Sequence, residues 1–391
     1  MEKDYLESSE RIFMKFLHIS DLHLGKRLNA FSMLEDQTHI LTQILQITDD
    51  ERPDGVLIAG DVYDKAVPSA EAVALFDGFL AQLAARNVSV FVISGNHDSP
   101  ERIAYGAQLV RHSKVYLSPV YDGHVQPVTL EDSYGLVDVF LLPFLKPMHV
   151  RRYFPEEAIE SYTDAIACAV AHMPIDPTHR SVLVTHQFVT GAERCESEEH
   201  SVGGSDNVDA SVFAPFDYVA LGHIHGPQNV GSERIRYCGT PLKYSFSEAR
   251  HQKSVTVVEL AEQGHLSVRT VPLRPLRDLV ELRGQFQEVT ARAYYQTIDQ
   301  NAYIHVTLTD EDDIPEAIGK LRAVYPNLMK LDYDNSRTRG SSEILVDAEM
   351  ERRSPLELFG DFYEQQNNQP LSGMQRAYLA DLIDQIWGGE A

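Results

Sequence analysis

Residues 15–25 read KFLHISDLHLG, and two later hydrophobic runs end in the same way: GVLIAGDVYD at 55–64 and VSVFVISGNHDSPER at 88–102. Each is a short run rich in Val, Ile, Leu and Phe that breaks into Asp, His, Asn or Gly at its carboxyl end. Between them, apolar residues fall at helical spacing from Thr38 to Thr48 and again from Ser69 to Arg86, with Ser69 placed to cap the second helix. Strand and helix alternating in this way predict an α/β unit with a parallel sheet. Ligands of such sheets collect at the carboxyl ends of the strands, where these polar residues stand.

Outward from this unit, FLLPFL, SVLVTH, YVALGH, RIRYCG, SVTVVEL and HLSVRTV add strands, with one further helix expected around Ile159 to His172. The predicted architecture is α/β: a sandwich of two mixed sheets flanked by helices over residues 14–270. Prolines and basic residues in VPLRPLR, 271–277, read as a linker. Residues 278–347 carry strand (NAYIHVTL), helix (IPEAIGKLRAVY) and strand (EILVD) patterns, a small α+β cap domain. Two C-terminal helices separated by QQNNQP are expected in 354–391, where Met374, Tyr378, Leu382 and Ile386 recur at spacing four beside Leu379, Ile383 and Trp387. Residues 1–13 are polar and acidic, precede a second methionine, Met14, and are read as a disordered extension outside the fold.

The chain has 391 residues, 43% of them hydrophobic and 24% charged, values that argue against disorder. It lacks any apolar run of membrane-spanning length. A net charge of −24 excludes a nucleic-acid binder that works through a broad basic surface, so any such contact must be local or assisted by metals or a partner. The three cysteines, Cys168, Cys195 and Cys238, are odd in number and far apart, which fits neither a disulfide framework nor a zinc ribbon and points to the reducing cytoplasm.

Five strand-like runs end in groups able to bind metal: Asp21 and His23, Asp61, Asn96 and His97, His186, and His223 with His225. Any one of these short motifs is common by chance; five in this order, each after a hydrophobic run, are not. Carboxylate, amide oxygen and imidazole suit manganese, iron or zinc better than calcium, and the lack of cysteine disfavours a structural zinc. An aspartate can bridge two ions through its two oxygens, and Asp61, following Gly60 where the backbone can turn sharply, is the natural bridge.

The set D-x-H, G-D, G-N-H-D, H and G-H-x-H resembles the calcineurin-like metallophosphoesterase superfamily. Within it, LHISDLHLG, AGDVYD, SGNHDSPER, DYVALGHIHGPQ and YCGTPLKYSFSEA are similar to bacterial nuclease subunits that work with a coiled-coil ATPase, over about residues 14 to 260 and more weakly beyond. The resemblance implies that Asp21, His23, Asp61 and His225 hold one ion and Asp61, Asn96, His186 and His223 the other, the pair being manganese first and magnesium, iron or zinc as alternatives. His97 would act as general acid toward the leaving 3′-oxygen, or as a cation that stabilises the transition state. Some relatives place a histidine three residues after the bridging aspartate; Asp64 stands there in this chain, and its carboxylate is expected to accept a hydrogen bond from His97. Lys26, Arg27, Arg102, Lys243, Arg250 and Lys253 are candidates for phosphate contact. The implied activity is DNA repair and recombination chemistry: exonuclease on double-stranded ends and endonuclease on single-stranded or hairpin DNA. The implied assembly is a homodimer within a heterotetramer in the cytoplasm, at the nucleoid, with the tail binding the ATPase. A small-molecule phosphodiesterase or phosphatase of the same superfamily, and a non-catalytic DNA-end scaffold, are the alternatives.

Overall fold

A computed structural model describes residues 13–29, 31–193, 206–335, 356, 359–360, 363 and 371–387. The chain divides into two compact units, Met1–Asp278 and Leu279–Ala391. The expected strand EILVD and the QQNNQP break lie outside the described residues, as do Cys195 and nearly all of the N-terminal extension.

In the first unit the main strands, in chain order, are β1 (Met14–Ile19), β2 (Gly55–Ile58), β3 (Ser89–Val92), β4 (Val115–Leu117), β5 (Val128–Asp132), β6 (Gly135–Leu142), β7 (Arg180–His186), β8 (Tyr218–Gly222), β9 (Gln228–Val230), β10 (Ser232–Tyr237), β11 (Ser254–Leu260) and β12 (Leu266–Pro272). They form two six-stranded mixed sheets, ordered β12-β11-β1-β2-β3-β4 and β9-β10-β8-β7-β6-β5. β1 to β4 pair in parallel, and antiparallel β11 and β12 complete that sheet. In the other, β6, β7, β8 and β10 are parallel, with β5 and β9 antiparallel at the edges.

The alternation along β1 shows how the sandwich closes. Phe16 joins Leu57, Phe91, Val139, Val184, Tyr218 and Ala220 in a core drawn from the facing surfaces of both sheets. Two residues on, His18 is fully buried between Tyr218 Oη (2.9 Å) and the Leu221 carbonyl (3.2 Å), a polar pin across an otherwise apolar interface. On the second sheet's outer side, Ala165, Ile166, Ala169 and Val170 of a helix at Tyr162–Ala171 pack with Phe140, Leu183 and Val219. The helices expected early in the chain run Leu34–Glu51 and Ala70–Ala85, and Ser69 does cap the second, accepting from Ala72 N.

The stretch read as a linker is tied to this unit. Val271 and Pro272 belong to β12, Gln43 and Arg274 exchange two hydrogen bonds, and Arg277 pairs with Glu35 and Asp36. Its prolines sit where the sheet edge ends, and Arg277 finds carboxylates on the helix after β1. The second unit is built on three parallel strands, Leu279–Gly284, Tyr303–Leu308 and Leu328–Tyr333, and carries helices at Ala317–Arg322 and Gly373–Trp387. Its first and third strands were not expected from the pattern, being short runs interrupted by charged residues.

Burial, and then the nearby Arg236, push the His18 imidazole down to about 3 from its ordinary 6.5. The unfolded chain takes up a proton here below about 6.5 while the folded chain stays neutral down to about 3, so stability is lost as pH falls through that window. His18→Gln is expected to flatten the pH dependence of urea unfolding of the metal-free protein between pH 4 and 6 by up to about 1.4 kcal/mol per pH unit, one proton's worth. An unchanged slope would remove His18 as its source.

Candidate metal centre

The carboxyl ends of β1, β2 and β3 meet those of β7 and β8 at one end of the sandwich. Asp21 and His23 follow β1, Asp61 follows β2, Asn96 and His97 follow β3, His186 closes β7, and His223 and His225 follow β8. Backbone bonds knit the loops together: Asp21 N donates to Gly60 O, His23 N to Asp61 O and Leu24 N to Val62 O. Asp21, His23, Asp61 and His223 all have positive φ, a conformation costly for non-glycine residues and held here by the surrounding bonds. Gly222 allows the sheets' ends to approach, since a Cβ there would stand 1.9 Å from the Ala59 carbonyl oxygen and 2.6 Å from His186 Nδ1.

All seven expected ligand side chains come together. Asp61 lies at the middle: one carboxylate oxygen, Oδ1, accepts from the His97 backbone N–H (2.9 Å), and Oδ2 lies 3.4 Å from His186 Nε2 and 3.8 Å from His23 Nε2. On one side, Asn96 Oδ1 is 3.0 Å from both His186 Nε2 and His223 Nδ1. On the other, His23 Nε2 faces His225 Nε2 at 3.2 Å, and donor atoms of Asp21, His23 and His225 lie within 4.8 Å of one another. His186 donates its Nδ1 proton to the Ala59 carbonyl (2.8 Å), so in the neutral ring Nε2 presents a lone pair to the Asn96 oxygen and the Asp61 carboxylate. Facing lone pairs require positive charge between them, and these residues therefore fit a pair of divalent cations.

Without an ion, a proton on His186 supplies part of that positive charge. Burial alone would raise the Asp61 carboxyl, but the imidazoles of His186, His23 and His97 hold it well below the carboxylate range. Burial opposes a charged His186, yet the Asp61 carboxylate overrides it and pushes that imidazole up to about 9. His23 is held well below its usual value by burial.

His97 lies at the rim, its ring edge-on to His23. Its Nδ1 meets the backbone carbonyl of Asp64 at 3.1 Å, which corrects the expectation that the Asp64 carboxylate would be its partner. That carboxylate is taken by Lys26 at 2.8 Å because the loop turns the Asp64 side chain away from His97 and its carbonyl toward it. The expected phosphate-binding cations divide accordingly. Lys26 is paired with Asp64, and Lys243 with Asp278 at 2.7 Å. Lys253 is buried against Glu248 at 2.6 Å, out of reach of any phosphate. Arg27, Arg102 and Arg250 are exposed.

Against known proteins, residues 14–227 match the family described as Calcineurin-like phosphoesterase, and residues 275–367 the Type 5 capsule protein repressor C-terminal domain. The chain belongs to the calcineurin-like phosphoesterase family. It is 33% identical over 377 residues to the SbcD subunit of the nuclease SbcCD of Staphylococcus epidermidis, covering 95% of this chain and 99% of that one. Two solved structures resemble it at 12% identity. A dimetal phosphatase from Danio rerio has a TM-score of 0.40 over 68% of this chain and 98% of its own, and a Thermus thermophilus protein 0.35 over 66% and 99%. As a member of this family the chain is a metal-dependent phosphoesterase, and its fold is that family's two-sheet sandwich.

Several residues that support the phosphoesterase site were not singled out from the sequence. Asp98 accepts from the backbone N–H groups of Val62, Tyr63 and Gly95, binding the loop after β3 to the loop after β2. Gln37 donates to the Leu22 and His23 carbonyls and accepts from Gly25 N, while Tyr244 donates to Leu22 O. Glu248 meets His225 Nδ1 at 3.3 Å and, through its other oxygen, Lys253, which also donates to the His225 carbonyl and Thr240 Oγ1. Asp98 stood inside the G-N-H-D motif and Tyr244 and Glu248 inside YCGTPLKYSFSEA, but without an assigned role; Gln37 is buried on the helix Leu34–Glu51, and nothing in its local pattern marks it. Glu248→Gln would leave Lys253 as a buried, uncompensated charge and should cost roughly 3 to 5 kcal/mol in urea unfolding. Adding Lys253→Met should recover much of that loss; a single variant as stable as wild type would show that the pair is not what holds His225.

Proposed function

We propose that the chain is a dinuclear-metal DNA phosphodiesterase acting with an SbcC-type coiled-coil ATPase, cutting double-stranded ends exonucleolytically and single-stranded or hairpin DNA endonucleolytically. The observation that carries this reading is the convergence of seven metal-ligating side chains on either side of one buried carboxylate, Asp61, in a chain alike over nearly its whole length to the SbcD subunit of a nuclease SbcCD. Asp21, His23 and His225 would hold one ion with Asp61, and Asn96, His186 and His223 the second; the donor set favours Mn2+ and accepts Mg2+, Fe2+ or Zn2+. Such ions supply an activated water at neutral pH and charge stabilisation for the phosphoryl oxygens.

The chain's own residues orient this chemistry. The contact of His97 Nδ1 with Asp64 O, and the hydrogen bonds that Asp98 accepts from three backbone N–H groups, set the ring of His97 at the rim with Nε2 on the Asp61 side. A proton held at Nε2 would pass to the leaving oxygen, and Asp64 acts by placing its carbonyl and by anchoring Lys26. The C-terminal helix presents Met374, Tyr378 and Leu382 to solvent, an exposed stripe of the kind that marks a protein partner, here the coiled-coil base of the ATPase. The side chains of Ile386 and Trp387 lie outside the described residues. The working assembly in this reading is a homodimer within a heterotetramer, in the cytoplasm at the nucleoid.

A nuclease assay titrated with Mn2+, with and without the ATPase and ATP, tests the whole. Asp61→Ala should lose both ions by metal analysis, whereas His97→Ala should keep them and lose roughly 10² to 10⁴ in turnover. Two ions retained by the first variant, or none by the second, would force a reassignment of ligands. Deleting residues 354–391 should leave Mn2+-dependent cleavage of single-stranded DNA and abolish ATP-stimulated processing of duplex ends. A truncated chain that still co-purifies with the ATPase and responds to ATP would remove the tail from the partner interface.

A further inference from the structure

Beside the site lies a cavity of about 120 Å³ whose lining includes Asn96 and His223 of the site together with Phe144, Phe188, Lys146 and Asp206, to which the phosphodiesterase reading gives no role. The two phenylalanines stand against two of the imidazoles: Phe144 is edge-on to His186 with centroids 6.3 Å apart, and Phe188 is tilted against His223 at 6.4 Å. Both positions are fixed by backbone. Phe144 follows β6 and its N–H donates to Ser94 O, in the turn that leads to Asn96; Phe188 lies one residue past Gln187, whose carbonyl accepts from Tyr237 Oη. Both rings are only partly buried.

Lys146 supplies the charge. It is exposed and forms no ion pair with a carboxylate among the described residues, unlike Lys26, Lys243 and Lys253, which are engaged by Asp64, Asp278 and Glu248. In a chain of net charge −24, an uncommitted ammonium on the wall of a cavity shared with two metal-ligating side chains is an unusual placement. Two aromatic rings and a cation lining one cavity match one nucleotide unit, the rings serving a base and the cation a phosphate.

We propose that this cavity seats the nucleotide adjoining the scissile bond, with Lys146 on its flanking phosphate and Phe144 and Phe188 against its base. The inference rests on the phosphodiesterase reading and narrows its substrate: a base can reach these rings only when unpaired, so the strand in the site is single-stranded there.

Binding separates this inference from the activity. Anisotropy of a fluorescein-labelled oligothymidylate, titrated with the metal-free full chain over a range of NaCl, should show Lys146→Gln reducing the slope of log K against log [salt] by about 0.7, the share of one single-strand phosphate contact. Lys146→Arg should restore the slope. Phe188→Leu, which keeps the apolar volume, should weaken binding roughly tenfold without changing the slope, as loss of a stacking face would. An unchanged slope in Lys146→Gln, or a wild type that binds no oligonucleotide, overturns the assignment. Wild type that binds with the Lys146-dependent slope but shows no Mn2+-dependent cleavage sinks the phosphodiesterase reading and leaves the subsite standing; cleavage and binding both indifferent to Lys146 do the reverse.

Discussion

The carboxylate of Asp61 is buried at the seam between two sheets, where an uncompensated negative charge would be very costly. Its environment answers that cost with imidazoles from three other strand ends and one backbone N–H. Two of those imidazoles are themselves held by backbone carbonyls behind them, His186 by Ala59 O and His97 by Asp64 O. Charge compensation at one atom thus reaches into both sheets, and the loops after β1, β2, β3, β7 and β8 cannot relax independently. The positive φ of Asp21, His23, Asp61 and His223 is strain tolerated because this network fixes each residue from several directions.

The same constraint explains why support is polar where a core would ordinarily be apolar. His18, Gln37, Asp98, Glu248 and Lys253 are all buried, and each bonds backbone groups, buried hydroxyls or another buried charged group. A partly satisfied network of this kind is worse than an apolar core, so the supports come as complete sets. Glu248 and Lys253 illustrate it: the lysine neutralises the carboxylate that orients His225, and it also donates to the His225 carbonyl, fixing side chain and backbone together. Apolar strength is supplied elsewhere, by the core between the sheets and by the helices on their outer faces.

Function follows from how this rigid centre meets its surroundings. Cations are scarce, and several are spent internally, so substrate electrostatics must rest on the metals and on a few exposed side chains rather than on a basic face. Lys146 and the rings of Phe144 and Phe188 are the local groups beside the ligands that match a nucleotide. The exposed stripe of Met374, Tyr378 and Leu382 lies in the second unit, which has its own core of Ile304, Val306, Leu321 and Tyr325. Separate cores let that helix and the Asp61 centre be altered independently.

The side chains that converge at the strand ends, the strand-helix alternation and the two-sheet architecture were legible in the sequence, because metal-binding chemistry would restrict residue type at each strand end and burial restricts the period between them. Packing of one sheet on the other then had to bring Asp21, after β1, and His225, after β8, together across about 200 positions, and it does so with the carboxyl ends of both strands at the same end of the sandwich. Side-chain direction was not legible. Only the folded loop decides that His97 meets the carbonyl of Asp64 while the Asp64 carboxylate turns to Lys26, and that Lys253 faces inward to Glu248 and not outward to phosphate. These choices depend on which buried groups still lack a partner once the sheets have met, and that is a property of the tertiary structure. The short parallel strands of the second unit escaped for a related reason: charged residues interrupt their hydrophobic pattern, and only pairing with Tyr303–Leu308 makes them strands.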